Sequence, residues 1–208
     1  MQEQRLATVT RHLVACGARS VLDLGCGDGE LLLRLAGNAQ FERLLGIDID
    51  HEVLSVARRA LGLGLRSGCE RIDVRRGTFE AADAGLCGFD AAALVETIEH
   101  IDPRRLARVE HAVFRGMRPR TMLVTTPNQE YNVLHELAPG ELRHPGHRFE
   151  WCRAKFRRWA RGVGARCAYE VVFFDIGPPD FRHGSSTQMA RFTRRDALPD
   201  DGVATVQV

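Results

Sequence analysis

The strongest constraint on the fold is a regular alternation of strand-like and helix-like segments between residues 20 and 127. The strand-like segments are SVLDL, RLLGIDI, RIDVRRG, FDAAALVE and RTMLVTTP, and the helix-like segments include ELLLRLAG, HEVLSVARRALGLG and RRLARVEHAVFRGMRP. This alternation indicates βαβ units around a mostly parallel sheet. FDAAALVE is almost wholly apolar, which favours a strand buried on both faces. After a further helix-like segment, EWCRAKFRRWARGVG, the stretches ARCAYEVVFFDIG and STQMARFTR are predicted to pair antiparallel at one edge of the sheet.

The length and composition of the chain fit one globular domain. It has 208 residues, of which 44% are hydrophobic and 27% are charged, as in soluble proteins with a single core. We find no apolar run of about 18 residues that could span a membrane, and no signal peptide. The six cysteines are scattered without a CxxC pair, which favours reduced thiols in a cytoplasm over a disulfide framework or a zinc site. We predict one domain over residues 1–195 and a loose tail over residues 196–208.

A glycine-rich loop follows the first predicted strand. LDLGCGDG places Gly25, Gly27 and Gly29 between a strand and a helix, where glycine allows a sharp turn and close approach to a ligand. Asp48 ends the second predicted strand, and an acid at that position can accept hydrogen bonds from ribose hydroxyls. A strand, a glycine loop, a helix, a strand and an acid in this order indicate a nucleotide-like cofactor.

The charges within this loop distinguish two cofactors. A dinucleotide such as NAD requires a G-x-G-x-x-G pattern, with its pyrophosphate at the helix N-terminus. The loop here is G-x-G-x-G, with Asp28 inside it and Glu30 at the start of the helix. Carboxylates there would repel phosphate but suit a cationic ligand. S-adenosylmethionine carries a sulfonium and an ammonium group and no phosphate, so we favour it.

VLDLGCGDG resembles motif I of the class I methyltransferases, and GIDID resembles their second motif. The resemblance implies an α/β, Rossmann-like S-adenosylmethionine-dependent methyltransferase domain with a mostly parallel sheet and an antiparallel edge strand. It further implies that Asp23 and the Gly25–Gly29 loop lie near the methionine end of the cofactor, that Asp48 holds the ribose, and that Thr78 in RGTFEAAD lies near the adenine. The alternative for Thr78 is a turn residue.

Three potential metal ligands follow the fourth predicted strand in VETIEHIDP. Glu96, Glu99 and His100 have i, i+3 and i+4 spacing, so on a helical turn they share one face. They follow a buried strand, at the edge where open α/β sheets bind ligands. Oxygen and imidazole ligands together suit Mg²⁺ or Mn²⁺. The alternative is a helix N-terminus that carries acids and a capping histidine.

A long segment without helix or strand character extends from residue 127 to residue 148, as PNQEYNVLHELAPGELRHPGHR. Loops of this length are usually functional or disordered, and the histidine and tyrosine content argues against disorder. ETIEH, PNQEYN and HRFEW together resemble the Hua-enhancer family of small-RNA 3′-terminal ribose 2′-O-methyltransferases. The resemblance implies a metal-binding and RNA-binding loop at residues 127–150, with Glu96, Glu99, His100 and His147 as catalytic metal ligands. His144 has the same chemistry, and its alternative is a loop residue on the surface that faces RNA.

The chemistry that this family implies is methyl transfer from S-adenosylmethionine to the 2′-hydroxyl of the terminal ribose of RNA. A ribose hydroxyl is a poor nucleophile at neutral pH, and a bound divalent metal lowers the pKa of a coordinated oxygen. If both hydroxyls of the terminal ribose bind the metal, an internal nucleotide fits poorly. His100 or His147 could also relay the proton. Bacterial relatives are implied to act in RNA repair with a polynucleotide kinase-phosphatase, and eukaryotic relatives to mark small RNAs.

The segment from Arg143 to Arg166 has seven arginines and one lysine against one acid. We expect six of its cations to contact RNA phosphates without sequence preference: Arg143, Arg148, Arg153, Lys155, Arg157 and Arg158. The alternative is a solvated helix face. Phe149 and Trp151 either stack on a base or belong to the core, and Asn128 and Asn132 either bind substrate hydroxyls or shape the loop.

Two other functions remain open at this point. A metal-dependent methyltransferase of small molecules, acting on a catechol-like diol, would use the same chemistry. A non-catalytic domain that binds S-adenosylmethionine and serves as an RNA-binding scaffold would keep the same cofactor motifs. The chain begins only about twenty residues before motif I, so we expect either a minimal enzyme or a catalytic fragment.

Overall fold

The computed structural model describes residues 1–64, 71–81, 83–138 and 140–197. Its centre is a seven-stranded sheet with the order β3-β2-β1-β4-β5-β7-β6. The strands are β1 (Ser20–Leu24), β2 (Arg43–Asp48), β3 (Ile72–Arg76), β4 (Ala91–Val95), β5 (Thr121–Pro127), β6 (Tyr169–Ile176) and β7 (Thr187–Arg194). The first five are parallel, and β7 runs antiparallel to both β5 and β6. This arrangement confirms the predicted α/β fold with an antiparallel edge.

Five α-helices flank the sheet in the described residues. They are α1 (Gln2–Ala15), α2 (Glu30–Ala36), α3 (His51–Ala60), α4 (Leu106–His111) and α5 (Arg153–Cys167). The chain continues from α4 into a π-helical turn, Ala112–Met117, and 3₁₀ turns occur at Ala84–Leu86, Ile98–His100, Gln129–His135 and Arg195–Ala197. None of the described helices has the length and apolar character needed to cross a bilayer.

The core has one hydrophobic cluster on each face of the sheet. In β4, Ala91 and Ala93 belong to the cluster that includes α1, α2 and α3, whereas Ala92 and Leu94 belong to the cluster that includes α4 and α5. Successive residues of a strand point to opposite faces, so β4 is buried on both, as its composition predicts. Polar groups in this central strand are therefore placed at its end, where the chain leaves the sheet.

The strand order reverses between β1 and β4, because β2 lies beside β1 on one side and β4 lies on the other. In open α/β sheets a crevice forms at such a point, outside the carboxyl ends of the strands. The glycine loop follows β1, and Glu96 follows β4 directly. The topology thus places both predicted sites at one edge. Most of the predicted tail, residues 198–208, lies outside the described residues, so the domain boundary stays a prediction.

Candidate active site

The glycine loop is held in place by backbone contacts with β2. The backbone N–H groups of Gly25 and Cys26 donate to the carbonyl of Ile47 at 2.8 and 3.0 Å. The N–H of Gly27 donates to the Asp48 carboxylate at 3.0 Å. Gly25 has φ of +78°, and a Cβ atom there would lie 2.6 Å from Cγ2 of Thr97, so both conformation and space require glycine. The glycine loop is thus hydrogen-bonded directly to Asp48, the predicted ribose ligand.

A cavity of about 360 Å³, here called the Asp48 cavity, opens beside this loop. Its lining includes three residues predicted to bind the cofactor, Gly25, Asp48 and Thr78. Ile49 and Phe79 add apolar surface that suits a flat ring, and neither was predicted from the sequence. Ile49 follows Asp48 in the sequence and Phe79 follows Thr78, and this adjacency to predicted cofactor ligands could have identified both. Glu96 and His100 also line this cavity, so the predicted metal ligands lie next to the cofactor space.

A second cavity of about 160 Å³, here called the Asp23 cavity, lies on the other side of Gly25, which lines both. Gly27 and Asp28 also line it. Burial raises the pKa of Asp23 to about 7, and the charge of Asp48 adds to the rise. A buried carboxyl group in a cavity is a natural partner for a cationic ligand. Helix α1 closes this cavity with Gln2 and Arg5, a contribution that no motif in the sequence predicts.

The two glutamates after β4 are held by threonines of β5. The Thr125 hydroxyl donates to Glu96 at 3.0 Å, and the Thr126 hydroxyl donates to Glu99 at 3.1 Å. Glu99 is fully buried, and its Oε1 has no hydrogen-bond partner within the described part of the chain. Burial raises the pKa of both carboxyl groups, and the charge of Glu96 raises that of Glu99 further. Such an oxygen is costly to bury unless a cation meets it.

Three imidazoles gather beside these carboxylates. One ring nitrogen from each of His100, His144 and His147 lies within 4.8 Å of the others, the geometry of a possible metal site in the residues described. Glu96 lines the Asp48 cavity together with His100, but the group of potential metal ligands that the imidazoles form includes neither Glu96 nor Glu99. Gly146 passes between two of the rings, since a Cβ atom there would lie 3.0 Å from Nδ1 of His144 and 3.1 Å from Nδ1 of His100.

Hydrogen bonds to the Nδ1 atoms distinguish the three histidines. Nδ1 of His147 lies 2.6 Å from the Glu150 carboxylate, and Nδ1 of His100 lies 3.2 Å from the Gly146 carbonyl. Both partners are acceptors, so these rings carry the proton on Nδ1 and leave Nε2 free to bind a metal. Nδ1 of His144 instead accepts from the Gly146 N–H at 2.9 Å. Its neutral ring therefore carries the proton on Nε2, which makes it a donor. This pattern supports the predicted preference for His147.

Comparisons with known proteins show the family to which this fold and sequence belong. A family model described as a methyltransferase domain matches residues 21–120. The solved methyltransferase domain of bacterial CtHen1 is 40% identical with a TM-score of 0.84, over 93% of this chain and 98% of that one. The chain belongs to the Hen1 methyltransferase-domain family. This membership confirms the resemblance to the Hua-enhancer family that the sequence motifs indicated.

Two further matches are longer than this chain. The small RNA 2′-O-methyltransferase of Xenopus tropicalis is 34% identical over 203 residues, which are 93% of this chain and 55% of that protein. The chain spans about half the length of the curated relatives it matches. A chain of the Pnkp1/Rnl/Hen1 RNA repair complex has a TM-score of 0.65 at 22% identity, over 91% of this chain and 41% of that one, which shows a common fold.

The basic segment of this Hen1 domain does not form one continuous charged face. The guanidinium of Arg143 donates to the side chains of Asn132 and Ser186 at 2.6 and 2.9 Å and also to the Asn128 carbonyl. Arg153 is paired with Glu130 at 2.5 Å. These contacts hold the loop together, although the Arg153 side chain keeps 32% of its surface exposed. RNA contact by Arg143 and Arg153 stays a prediction.

The other four predicted RNA contacts differ in their surroundings. Arg148 and Arg158 are exposed. Lys155 is exposed as well, with its ammonium 5.6 Å from the Trp151 ring. Arg157 is partly covered, with its guanidinium 5.6 Å from the Phe173 ring. The first three are therefore the most accessible to a phosphate.

The neutral and aromatic residues of the Hen1 loop have structural roles. Trp151 is buried, so the core alternative is correct for this residue. Phe149 is partly buried against the core and stacks on Trp151 with ring centroids 4.4 Å apart. Asn128 donates to the carbonyls of His183 and Ser185 at 2.8 and 2.9 Å. Asn132 donates to Glu150 at 2.6 Å. Both asparagines shape the loop.

Proposed function

We propose that this chain transfers the methyl group of S-adenosylmethionine to the 2′-hydroxyl of the 3′-terminal ribose of RNA, with the help of a divalent cation. The observation that carries the proposal is that Glu96 and His100 line the same cavity as Gly25 and Asp48, and that His100 forms a possible metal site with His144 and His147. Membership of the Hen1 family supports RNA as the substrate.

The two cavities give the cofactor its orientation. The adenosine fits the Asp48 cavity, with Asp48 near the ribose and the apolar pair Ile49 and Phe79 available to the adenine ring. The methionine end fits the Asp23 cavity, where the Asp23 carboxylate meets the ammonium group. Because Gly25 lines both cavities, it would lie beside the bound sulfonium. Glu96 and His100, which line the Asp48 cavity, would then border the space next to the methyl donor.

The residues present fit a divalent cation. Oε1 of Glu99 is buried without a partner in the described residues, and the donor set combines carboxylate oxygens with imidazole nitrogens, as Mg²⁺ or Mn²⁺ accept. Glu96, Glu99, His100 and His147 would hold the ion. When bound, it supplies Lewis-acid chemistry that makes a nearby hydroxyl easier to deprotonate.

The chain's own residues orient these groups. Burial alone would raise the pKa of Glu150, but hydrogen bonds from Asn132, the Arg143 backbone and His147 hold it below its usual value. Glu150 therefore stays a carboxylate and fixes the ring of His147. Partial burial and the facing His147 lower the pKa of His100, which keeps that imidazole neutral.

The transfer itself is a direct displacement. The 2′-oxygen bonds to the methyl carbon as the carbon–sulfur bond breaks, the hydroxyl proton passes to water, and S-adenosylhomocysteine leaves as a neutral thioether. In this proposal the Nε2–H of His144 donates a hydrogen bond to a ribose oxygen, since Nδ1 already accepts from the Gly146 N–H. Because both hydroxyls of the terminal ribose are required, a reaction that removes 3′-phosphates must supply this substrate in RNA repair. A kinase-phosphatase partner would perform that step.

The proposal is tested with radiolabelled S-adenosylmethionine, Mn²⁺ and three versions of one RNA, ending in a 2′,3′-diol, a 3′-phosphate or a 2′-deoxynucleotide. We expect label in the first RNA alone. Equal labelling of the diol and the 3′-phosphate would refute the need for both hydroxyls. Labelling of catechol but of no RNA would favour a small-molecule methyltransferase, and cofactor binding without transfer to any acceptor would favour a scaffold.

A further inference from the structure

The turn between β6 and β7, residues 177–186, presents an aromatic ring to solvent. Phe181 is 97% exposed, more than any other large hydrophobic side chain in the described residues. Phenylalanine is usually buried, because leaving its ring in water forgoes the free energy of burial. A single exposed apolar residue is common on a flexible loop, so the rigidity and location of this turn decide what its exposure means.

The turn is rigidly built. One carboxylate oxygen of Asp180 accepts from the backbone N–H groups of Arg182 and His183 at 2.9 and 2.8 Å, and from the His183 ring at 2.7 Å. The backbones of Asp180 and Gly184 exchange two hydrogen bonds of 2.8 and 3.0 Å. The ring of Phe181 therefore projects from a closed turn, and a ligand that contacts it does not first have to order the backbone.

The turn lies at the same edge of the sheet as the active site. Thr187, where β7 begins, pairs with Pro127, where β5 ends. Asn128 donates to the carbonyls of His183 and Ser185 within the turn. Arg143, from the loop that carries His144 and His147, donates to the Ser186 carbonyl at 2.8 Å. In the sheet β7 lies two strands beyond β4, a spacing of roughly 10 Å, so the turn is a few nucleotides from the terminal ribose.

The charge beside Phe181 favours a nucleic acid over an apolar protein partner. Arg182 is exposed, and no described residue accepts a hydrogen bond or an ion pair from its guanidinium. Single-stranded nucleic acids are bound by aromatic rings on which bases stack, next to cations that contact the backbone. A hydrophobic protein pocket would use the ring but would leave the neighbouring arginine without a partner.

We propose that Phe181 stacks on one unpaired base of the RNA, upstream of the terminal nucleotide, and that Arg182 contacts the adjacent phosphate. The identity of the strand rests on the proposed function. Stacking is tolerant of sequence because every base has a π face. The contact would therefore depend on how far a base lies from the 3′ end and not on which base it is. The site would therefore require a short single-stranded 3′ tail.

The test uses two variants of the whole chain and a single-stranded RNA. In Phe181→Trp, RNA should quench the new indole emission relative to wild type, and one abasic nucleotide at a defined distance from the 3′ end should abolish the quenching. In Phe181→Ala, the dissociation constant for RNA should rise about 5- to 100-fold, with S-adenosylmethionine binding unchanged. Leu33→Ala removes another exposed apolar side chain, 50% exposed on α2, and should leave RNA binding unchanged.

The outcomes separate this inference from the proposed function. If wild type methylates RNA while Phe181→Ala keeps the same KM for RNA and Phe181→Trp shows no quenching, the stacking site is overturned and the methyltransferase assignment stands. If RNA quenches Phe181→Trp but no RNA is methylated, the stacking site stands and the assigned reaction fails. Quenching that survives at every abasic position would also overturn base stacking, because RNA would then reach the turn without placing a base on the ring.

Discussion

The glycine loop and the carboxylate–histidine cluster lie at one edge of the same sheet. They differ in whether their polar atoms have hydrogen-bond partners within the protein. In the loop, the N–H groups of Gly25 and Gly27 already have acceptors. In the cluster, Oε1 of Glu99 has no partner within the described chain. The first region is preformed by the fold alone, whereas the second is completed only by what it binds. Substitutions in the two regions should therefore affect different measurements.

The largest effect is expected in Glu99→Gln. Turnover should fall about 10³-fold, because a cation contributes several kcal/mol of charge stabilisation, while S-adenosylmethionine binding measured by calorimetry should stay unchanged. In metal-free buffer, at a pH high enough to ionise Glu99, the variant should be more stable than wild type, because the amide carries no charge at a site where burial raises the pKa of the carboxyl group. Added Mn²⁺ should stabilise wild type and not the variant. Loss of cofactor binding in this variant would contradict the separation of the two regions.

The second largest effect separates two histidines of one loop. In His147→Ala, Mn²⁺ affinity and turnover should both fall about 100-fold. The reason is that Glu150 fixes the His147 ring through Nδ1 and leaves Nε2 free to bind the ion. In His144→Ala, turnover should fall about tenfold through a lost hydrogen bond to substrate, and Mn²⁺ affinity should not change. Electron paramagnetic resonance of free Mn²⁺ measures the affinities. Equal loss of Mn²⁺ binding in the two variants would make His144 a ligand as well.

A smaller effect is expected on the cofactor side. Asp48→Ala should weaken S-adenosylmethionine binding about 10- to 100-fold, since it removes a charged acceptor for the ribose and the partner of the Gly27 N–H. Mn²⁺ affinity should be retained, as measured by the same resonance method. Thr78→Ala is the matched control, because the Thr78 hydroxyl already accepts from the backbone N–H of Glu80 at 3.2 Å and should contribute less.

The smallest effect is a pH dependence of cofactor affinity. Because the pKa of Asp23 is raised to about 7, S-adenosylmethionine affinity should fall by up to about tenfold per unit below that pH, and Asp23→Asn should flatten the profile. The effect on stability has the opposite sign. Unfolded Asp23 loses its proton near its usual pKa of 3.8, whereas the folded group keeps it to about 7. Between those values this group therefore lowers the free energy of unfolding as pH rises.

The sheet and its order of elements were predictable because apolar strands and amphipathic helices have different periods. Helix α1 was not predicted, since Val9 and Leu13 are its only buried hydrophobic residues. Helix α5 begins at Arg153, three residues later than expected. The reason is that Glu150 accepts from Arg143, His147 and Asn132, contacts with a loop that the sequence of the helix does not encode.

The site was predictable where its residues are neighbours in the chain. The spacing of Glu96, Glu99 and His100 predicted a shared helical face. Glu99 and His100 do lie in the turn Ile98–His100, whereas Glu96 precedes that turn with a left-handed φ of +50°. The internal role of Arg143 was not predictable, because its acceptor Ser186 is 43 residues away. The tautomer of His144 depends on the backbone of Gly146, and no residue type signals it. Phe181 carried no pattern, since its exposure follows from the turn geometry.

Glu96 has a backbone φ of +50°, in the left-handed region that side chains with a Cβ atom rarely adopt. A glycine at this position would relax the chain by about 1 kcal/mol. Position 96 is thus a point where folding and chemistry demand different amino acids. A screen for thermal stability alone should select glycine there, and the resulting protein would fold better while losing the carboxylate on which its proposed reaction depends.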